Sequence, residues 1–259
     1  MGGGGGGKAT LPLSSVHNRR LSAARRLRRQ PGEWLLAEGP QVVVEALRAR
    51  ADVGDVFVTP AALERHSELL TGAHTTVVSE QAIRGLAGTE APQGIVAVVR
   101  NPAVTLEALL GRGPQRLLVL TDVRDPGNVG TALRAAEGAG LDGAVVCAGS
   151  CDPANAKAVR ASAGAVFHLR HAAGVLPIEA LDALVGFTRL GAQAADARPF
   201  DDVIVSLPVA AAVGNEAWGF TPEVASRLDA LVSIPMRGHM GSLNAGVAAA
   251  LLSYRIMRP

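Results

Sequence analysis

The sequence predicts an α/β protein built in two parts. Short apolar stretches of β-forming residues alternate with helical patterns along nearly the whole chain after residue 14, as α/β layering requires. The segment 101–114, with Pro102, Gly111, Gly113 and Pro114 around a short helical pattern, interrupts the alternation and marks a linker. Beyond it, three strongly apolar stretches each end in a polar turn, the place where open α/β sheets bind ligands.

The length of 259 residues accommodates one large or two ordinary domains and a substantial core. The net charge is only +2, yet every charged residue before Glu33 is basic, an asymmetry that suits a polyanion partner. Cys147 and Cys151 are the only cysteines; without histidines nearby they do not make a zinc set, and they read as buried, inert thiols with no metal site. No apolar run reaches the ~18–20 residues of a membrane span, and Gly2 to Gly7 do not resemble a signal segment. The expectation is a soluble cytoplasmic protein whose residues 1–13 form a Gly-rich tail.

The first domain is expected over 14–100. A helix from Ser14 or Ser15 to about Gln30 places Val16, Leu21, Ala23, Ala24 and Leu27 on one side and Arg19, Arg25, Arg26 and Arg29 on the other. Arginines without carboxylates among them suit phosphate. Strands Trp34–Ala37, Asp55–Val58, Thr75–Val78 and Gly94–Val99 then alternate with helices Pro40–Arg50, Ala61–Leu70 and Glu80–Gly88. No catalytic constellation falls in this part.

The second domain, 115–259, opens with the apolar strand Arg116–Asp122. Asp125-Pro126-Gly127-Asn128 follows, a turn expected to end in Asn128 as the cap of helix Val129–Ala139, with Arg134 inside it. Gly138-Ala139-Gly140-Leu141-Asp142-Gly143 matches G-x-G-x-x-G but ends a helix and precedes strand Ala144–Cys147, the reverse of a dinucleotide-binding context. The pattern continues with helix Asn155–Gly164, strand Val166–His168, helix Ile178–Val185 and strand Phe187–Ala192. Val203–Val213 then forms a long apolar stretch ending in Gly214-Asn215-Glu216. Finally, Val232-Ser233-Ile234 ends a strand, and Ser242 stands where a cap belongs before a helix from Leu243 to about Tyr254. That helix is apolar on every face, so it is expected to be buried or to lie in a subunit interface.

Three segments converge on one resemblance: Asp125-Pro126-x-Asn128-x-Gly130-x₃-Arg134, Gly214-Asn215-Glu216-x₂-Gly219, and Ile234-Pro235-Met236-x-Gly238-x₃-Ser242-Leu243-Asn244. In order and spacing they resemble the three motifs of the SpoU (TrmH) family of RNA ribose 2'-O-methyltransferases, within the SPOUT superfamily. Ser15-x₂-Asn18 with the Arg-rich helix, and Trp34-Leu35-Leu36-x-Glu38-Gly39, are similar to that family's N-terminal substrate-binding domain. The resemblance implies a mostly parallel sheet with helices on both faces, closed by a C-terminal trefoil knot and preceded by a small α/β RNA-binding domain. It implies S-adenosylmethionine held by Gly214, Ile234, Met236, Leu243 and Ala192, and a homodimer formed through the C-terminal domain. It also implies catalysis on RNA, rRNA favoured, by Arg134 with Asn128, Glu216, Ser242 and Asn244. Since arginine is hardly ever neutral, Arg134 is read as stabilising the developing 2'-alkoxide; the proton acceptor is open. A tRNA ribose methyltransferase and a non-catalytic RNA-binding protein of the same fold are the alternatives.

Overall fold

The computed structural model describes residues 19–193 and 197–258. The expected tail, and the start of the first helix at Ser14 or Ser15 with Val16 and Asn18, lie outside the described residues.

The first part contains α1 (Arg19–Arg29), β1 (Trp34–Glu38), α2 (Pro40–Arg48), β2 (Val53–Val58), α3 (Pro60–Arg65), β3 (Thr75–Val77), α4 (Glu80–Leu86) and β4 (Ile95–Arg100). Its sheet runs β1-β4-β2-β3, antiparallel except for the β2–β3 pair. Thr59 and Ser79 cap α3 and α4 by accepting from the third backbone N–H of each helix. Leu21 and Ala24 of α1 are buried against β1 and α4, together with Leu36, Phe57, Ile83 and Leu86. Ala23, expected on this apolar side, is exposed, because the helix centres its buried face on Leu21 and Ala24.

The segment 101–114 contains α5 (Leu106–Leu110) and is docked rather than extended. Val104 bridges to Ala172, and Leu109 is fully buried in the second part's core. There follow β5 (Arg116–Leu120), α6 (Pro126–Ala139), β6 (Gly143–Cys147), α7 (Ala156–Ala161), β7 (His171–Val175), α8 (Pro177–Ala183), β8 (Thr188–Ala192), β9 (Arg198–Pro199), β10 (Val209–Val213), α9 (Pro222–Ala225), β11 (Ala230–Ser233) and α10 (Ala245–Ile256). The strands form one sheet, β7-β6-β5-β10-β8-β11-β9, with parallel pairing throughout. Helices cover both faces, and alternate residues of each strand divide between them. Leu118, Leu120, Ala211 and Val213 face α6 and α10, while Leu117, Val119, Ala210 and Ala212 share a cluster with Leu109 of α5 and Ala180 of α8.

Four local expectations are corrected. Residues 165–167 form a 3₁₀ turn after the left-handed Ala163 and Gly164, and the strand expected at Val166–His168 lies instead at His171–Val175. The long stretch Val203–Val213 becomes strand only from Val209, because Pro208 has no N–H for the ladder. Asp125, not Asn128, caps α6: its carboxylate accepts from the Asn128 N–H at 3.0 Å, with Pro126 at the first helical position. Asn244, not Ser242, caps α10, accepting from Gly246 N at 2.9 Å and Val247 N at 3.2 Å. As read from the sequence, Gly140 in its left-handed conformation terminates α6, so the G-x-G-x-x-G match is a helix end.

One hydrophobic cluster runs through both parts, joining Leu35, Val42, Val43 and Ile95 to Leu118, Val159 and Phe167. Across the same junction, Glu38 of β1 accepts from Arg160 of α7 at 2.8 Å, and Glu45 of α2 meets His168 at 2.9 Å. Gly164 is needed at this seam, because an added Cβ would fall 2.4 Å from Cβ of Glu45. The two sheets are therefore held in a fixed relation by packing.

Candidate functional site

The sheet's strand order reverses around β5 and β10: β6 and β7 extend one way, β8, β11 and β9 the other. Such a switch point opens a crevice at the carboxyl ends of the strands. Here the crevice is a cavity of about 460 Å³, within the range for a small organic ligand or cofactor. Ala192 ends β8, Gly214 follows β10, and Ile234 and Met236 follow β11; with Leu243 before α10, all five line the cavity. Every residue expected to hold a cofactor is thus brought to one place.

Glycine makes this geometry possible at Gly214, where a Cβ would lie 2.5 Å from the Gly219 carbonyl. The Gly214–Gly219 turn is closed by reciprocal backbone hydrogen bonds between Asn215 and Gly219, both 2.9 Å. Gly130 has a comparable role one layer away. A Cβ there would meet the Ala158 carbonyl at 2.4 Å and Ser162 N at 2.8 Å, so the small residue lets α6 and α7 cross closely.

At the cavity's edge the three polar turns meet. Asn244 Nδ2 donates to Asn128 Oδ1 at 2.8 Å, and Asn128 Nδ2 donates to Glu216 Oε1 at 2.6 Å. One side chain from each turn forms this chain of hydrogen bonds, and Glu216 and Ser242 also line the cavity. Asp125 anchors the first turn. Burial works against its charge, but the Asn128 N–H and the Lys157 ammonium, 3.3 Å away, hold its carboxyl below the usual range. Arg134, roughly one and a half turns beyond Asn128 on α6, is exposed and stands outside the hydrogen-bonded chain. It shares the face of α6 that borders α10, where Thr131 approaches Gly246 and Gly138 approaches the Tyr254 hydroxyl.

Asp122 was read only as the end of its strand, and Asn215 as part of the second motif without a role of its own. Asn215 is buried and donates to the carbonyl of Asp122 at 3.0 Å and to its carboxylate at 3.2 Å, locking the turn after β10 to the turn after β5. The sequence signal was available, since an Asn directly after a buried strand must satisfy its amide somewhere.

On α1, Arg19, Arg26 and Arg29 are exposed on one face. Arg25 is half-buried instead, its guanidinium so close to Gly85 of α4 that an added Cβ there would lie 2.8 Å from Nη2. Arg20 pairs with Asp55, and Arg28 donates to the Ala87 carbonyl at 2.7 Å. Cys147 is buried, but Cys151, expected to be buried as well, is only partly so; burial pushes the thiol of Cys147 up to about 12 and that of Cys151 to about 11.

A parallel α/β sheet with a cofactor-sized cavity at its switch point, joined to a small mixed-sheet unit, defines a ligand-binding α/β domain with an attached accessory domain. Residues 115–254 match the SpoU rRNA Methylase family, and residues 18–97 match the MRM3-like substrate binding domain. The chain belongs to the SpoU rRNA methylase family. It is 33% identical over 223 residues to the 23S rRNA (guanosine(2553)-2'-O)-methyltransferase RlmP of Bacillus subtilis (strain 168), covering 85% of this chain and 87% of that protein. Among solved structures it is similar to an rRNA methyltransferase from Sinorhizobium meliloti, with 26% identity, a TM-score of 0.81, and coverage of 95% of this chain and 97% of that one. It is likewise similar to the SpoU methyltransferase AviRb from Streptomyces viridochromogenes in complex with AdoMet, with 26% identity, a TM-score of 0.83, and coverage of 93% and 97%.

Proposed function

We propose that this protein transfers a methyl group from S-adenosylmethionine to a ribose 2'-hydroxyl of RNA, with 23S rRNA as its substrate. Family membership and the similarity to RlmP support the reaction and substrate. The observation that carries the reading is the Asn244–Asn128–Glu216 chain at the rim of a cavity lined by Ala192, Gly214, Ile234, Met236 and Leu243.

The cavity fits the cofactor. Val213, Phe220, Ile234 and Leu243 offer apolar walls, and the backbone groups of the Gly214 and Met236 turns stand at strand ends, where polar atoms are free to bind. When bound, the cofactor supplies an electrophilic methyl group on sulfur. The chain's own work is to place the 2'-oxygen and stabilise the charge it acquires. Asn128, fixed from both sides by Asn244 and Glu216, presents its amide at the rim in one orientation. Ser242 adds a hydroxyl that can donate or accept.

Arg134 acts on the developing alkoxide and the neighbouring phosphate. Its position is understood through the assembly. Val247, Leu251 and Tyr254 of α10 are exposed, one per turn, and form an apolar stripe on the helix that packs against α6, which carries Arg134. A homodimer built on α10 covers this stripe and removes water from around the guanidinium, which strengthens its field. The family's trefoil knot belongs to the same reading. Support comes from β10 inserted between β5 and β8, and from α10 returning to pack on α6. Residues 14–100 serve as the RNA-binding domain, with Arg19, Arg26 and Arg29 toward phosphates, and residues 115–259 as the methyltransferase domain. The protein works in the cytoplasm, where its RNA is; among the described residues no helix is long and apolar enough to cross a membrane.

The test is to incubate the protein with S-adenosylmethionine and unmodified 23S rRNA, analyse the nucleosides by mass, and map 2'-O-methyl sites in total RNA with and without the gene. One 2'-O-methylnucleoside in 23S rRNA is expected. Methylation on a base, or in tRNA alone, overturns the reading.

A further inference from the structure

Trp218 has no part in the mechanism above. It stands in the turn after Glu216, borders the cavity, and is 55% exposed. An indole left this far in solvent contributes little to the core, so the fold does not account for it. It is nevertheless held in place. The Arg124 guanidinium lies over the ring at 5.1 Å, and Arg124 is pinned by the Asp122 carboxylate through bonds of 2.8 and 3.3 Å. Asp122 is fixed in turn by Asn215, whose amide binds both its carbonyl and its carboxylate. Asp122 has a positive φ of 56°, a conformation that needs such support in a residue other than glycine.

The surroundings narrow what could rest there. Glu216, Asp122 and Asp125 put three carboxylates around the Trp218 turn, only partly offset by Arg124 and Lys157, so phosphates are disfavoured beside the indole itself and are left to Arg134 on α6. A contact that tolerates this field is stacking on a neutral aromatic face, the common way of holding bases splayed out of an RNA helix. A ribose can reach the Asn128–Glu216 rim only if its nucleotide leaves a regular helix, and the freed base then requires a partner.

We infer that Trp218, oriented by Arg124, is the platform on which an unstacked nucleobase of the RNA rests while the ribose is presented at the Asn128–Glu216 rim. The inference depends on the RNA reading above and adds a positioning residue to it. Stacking of this kind is indifferent to base identity, so Trp218 sets the position of the nucleotide rather than its sequence.

The experiment uses the full chain. Trp218→Ala is expected to raise KM for 23S rRNA about tenfold or more, within the range for loss of one base–aromatic stack. The affinity for S-adenosylmethionine by calorimetry should change less than about twofold, and Trp218→Phe should retain most of the wild-type KM. Because Trp34 and Trp218 are the only tryptophans, Trp34→Phe leaves Trp218 as the single reporter. Its emission should be quenched as a short single-stranded RNA is titrated, with binding followed separately by a label on the RNA. An unchanged KM in Trp218→Ala overturns the inference, as does a loss traced to cofactor affinity, a Phe variant as poor as Ala, or RNA binding that leaves Trp218 emission unchanged. A wild-type protein that neither binds nor methylates RNA overturns the underlying reading as well, which separates the two failures.

Discussion

Arg160→Met should destabilise the whole protein, although Arg160 lies far in sequence from its partner and plays no part in the chemistry. Its Nη1 donates at 2.8 Å to Glu38 Oε2, which also accepts the Gly88 N–H at 2.9 Å. Glu38 is only 5% exposed, and its other oxygen is buried without a hydrogen-bond partner among the described residues. Removing the cation therefore leaves a buried carboxylate with one neutral donor. Breaking a buried pair from one side costs roughly 3–5 kcal/mol. The Arg160 side chain is 34% exposed, so water can partly replace it and about 2–3 kcal/mol is the better expectation. At roughly 2–4 °C per kcal/mol for a protein of this size, the melting temperature should fall by about 5–10 °C. Glu38→Gln should cost less, because Gln can still accept from Gly88. In the double variant the two losses should fall short of their sum by at least about 1 kcal/mol, since no charge is then stranded. Thermal and urea unfolding of the four proteins measure this. An Arg160→Met protein within about 0.5 kcal/mol of wild type, or strictly additive losses, refutes the claim that this pair fastens the two sheets together.

The α6 glycines should respond with opposite signs. Gly130→Ala forces α6 and α7 apart against backbone atoms and should lose roughly 2 kcal/mol by thermal unfolding, while Gly138→Ala, whose Cβ would meet only the Tyr254 hydroxyl at 3.6 Å, should gain up to about 1 kcal/mol. Arg134→Ala should lower the rate of methyl transfer by about 10²-fold or more, with cofactor affinity by calorimetry nearly unchanged; near-normal turnover removes Arg134 from the mechanism. Leu251→Glu places a charge in the exposed stripe of α10 and should yield monomers by analytical ultracentrifugation at micromolar concentration, provided wild type sediments as a dimer. Replacing Arg19, Arg26 and Arg29 with Gln should flatten the log–log salt dependence of RNA binding by roughly 2 to 3 while cofactor binding survives; an unchanged slope makes this face an ordinary solvated surface.

Much of the architecture was legible because strand period and helix period differ sharply in apolar α/β sequence. Where the reading slipped, a competing local interaction decided. Val166 and Phe167 are apolar enough for a strand, but the left-handed Ala163 and Gly164 turn the chain first. Asn128 and Ser242 are good caps in isolation, yet Asp125 and Asn244 take those positions. In the case of Asn128, the side chain is thereby left free to bond Glu216 and Asn244, so the misplaced cap and the link between the turns are one and the same ambiguity. Arg25 could not be assigned from periodicity either, since its place at the edge of the helix face depends on a glycine 60 positions away.

The hydrogen-bonded chain also explains why a site of this kind needs three separated motifs. Asn128 alone could point its amide oxygen or its amide nitrogen at the rim, two orientations of nearly equal shape and opposite polarity. Glu216 can only accept when ionised, so it selects the nitrogen; Asn244, donating from the opposite side, selects the oxygen for itself. Asn244 is in turn held by its own role as cap, with its oxygen committed to Gly246 and Val247 and only its nitrogen available to Asn128. The polarity of the rim is thus set by the start of α10 and transmitted through two amides to a carboxylate 88 positions from Asn128. Each link is unambiguous only because the next one is, and this is why no single motif, read by itself, could distinguish a residue that caps a helix from one that builds the rim.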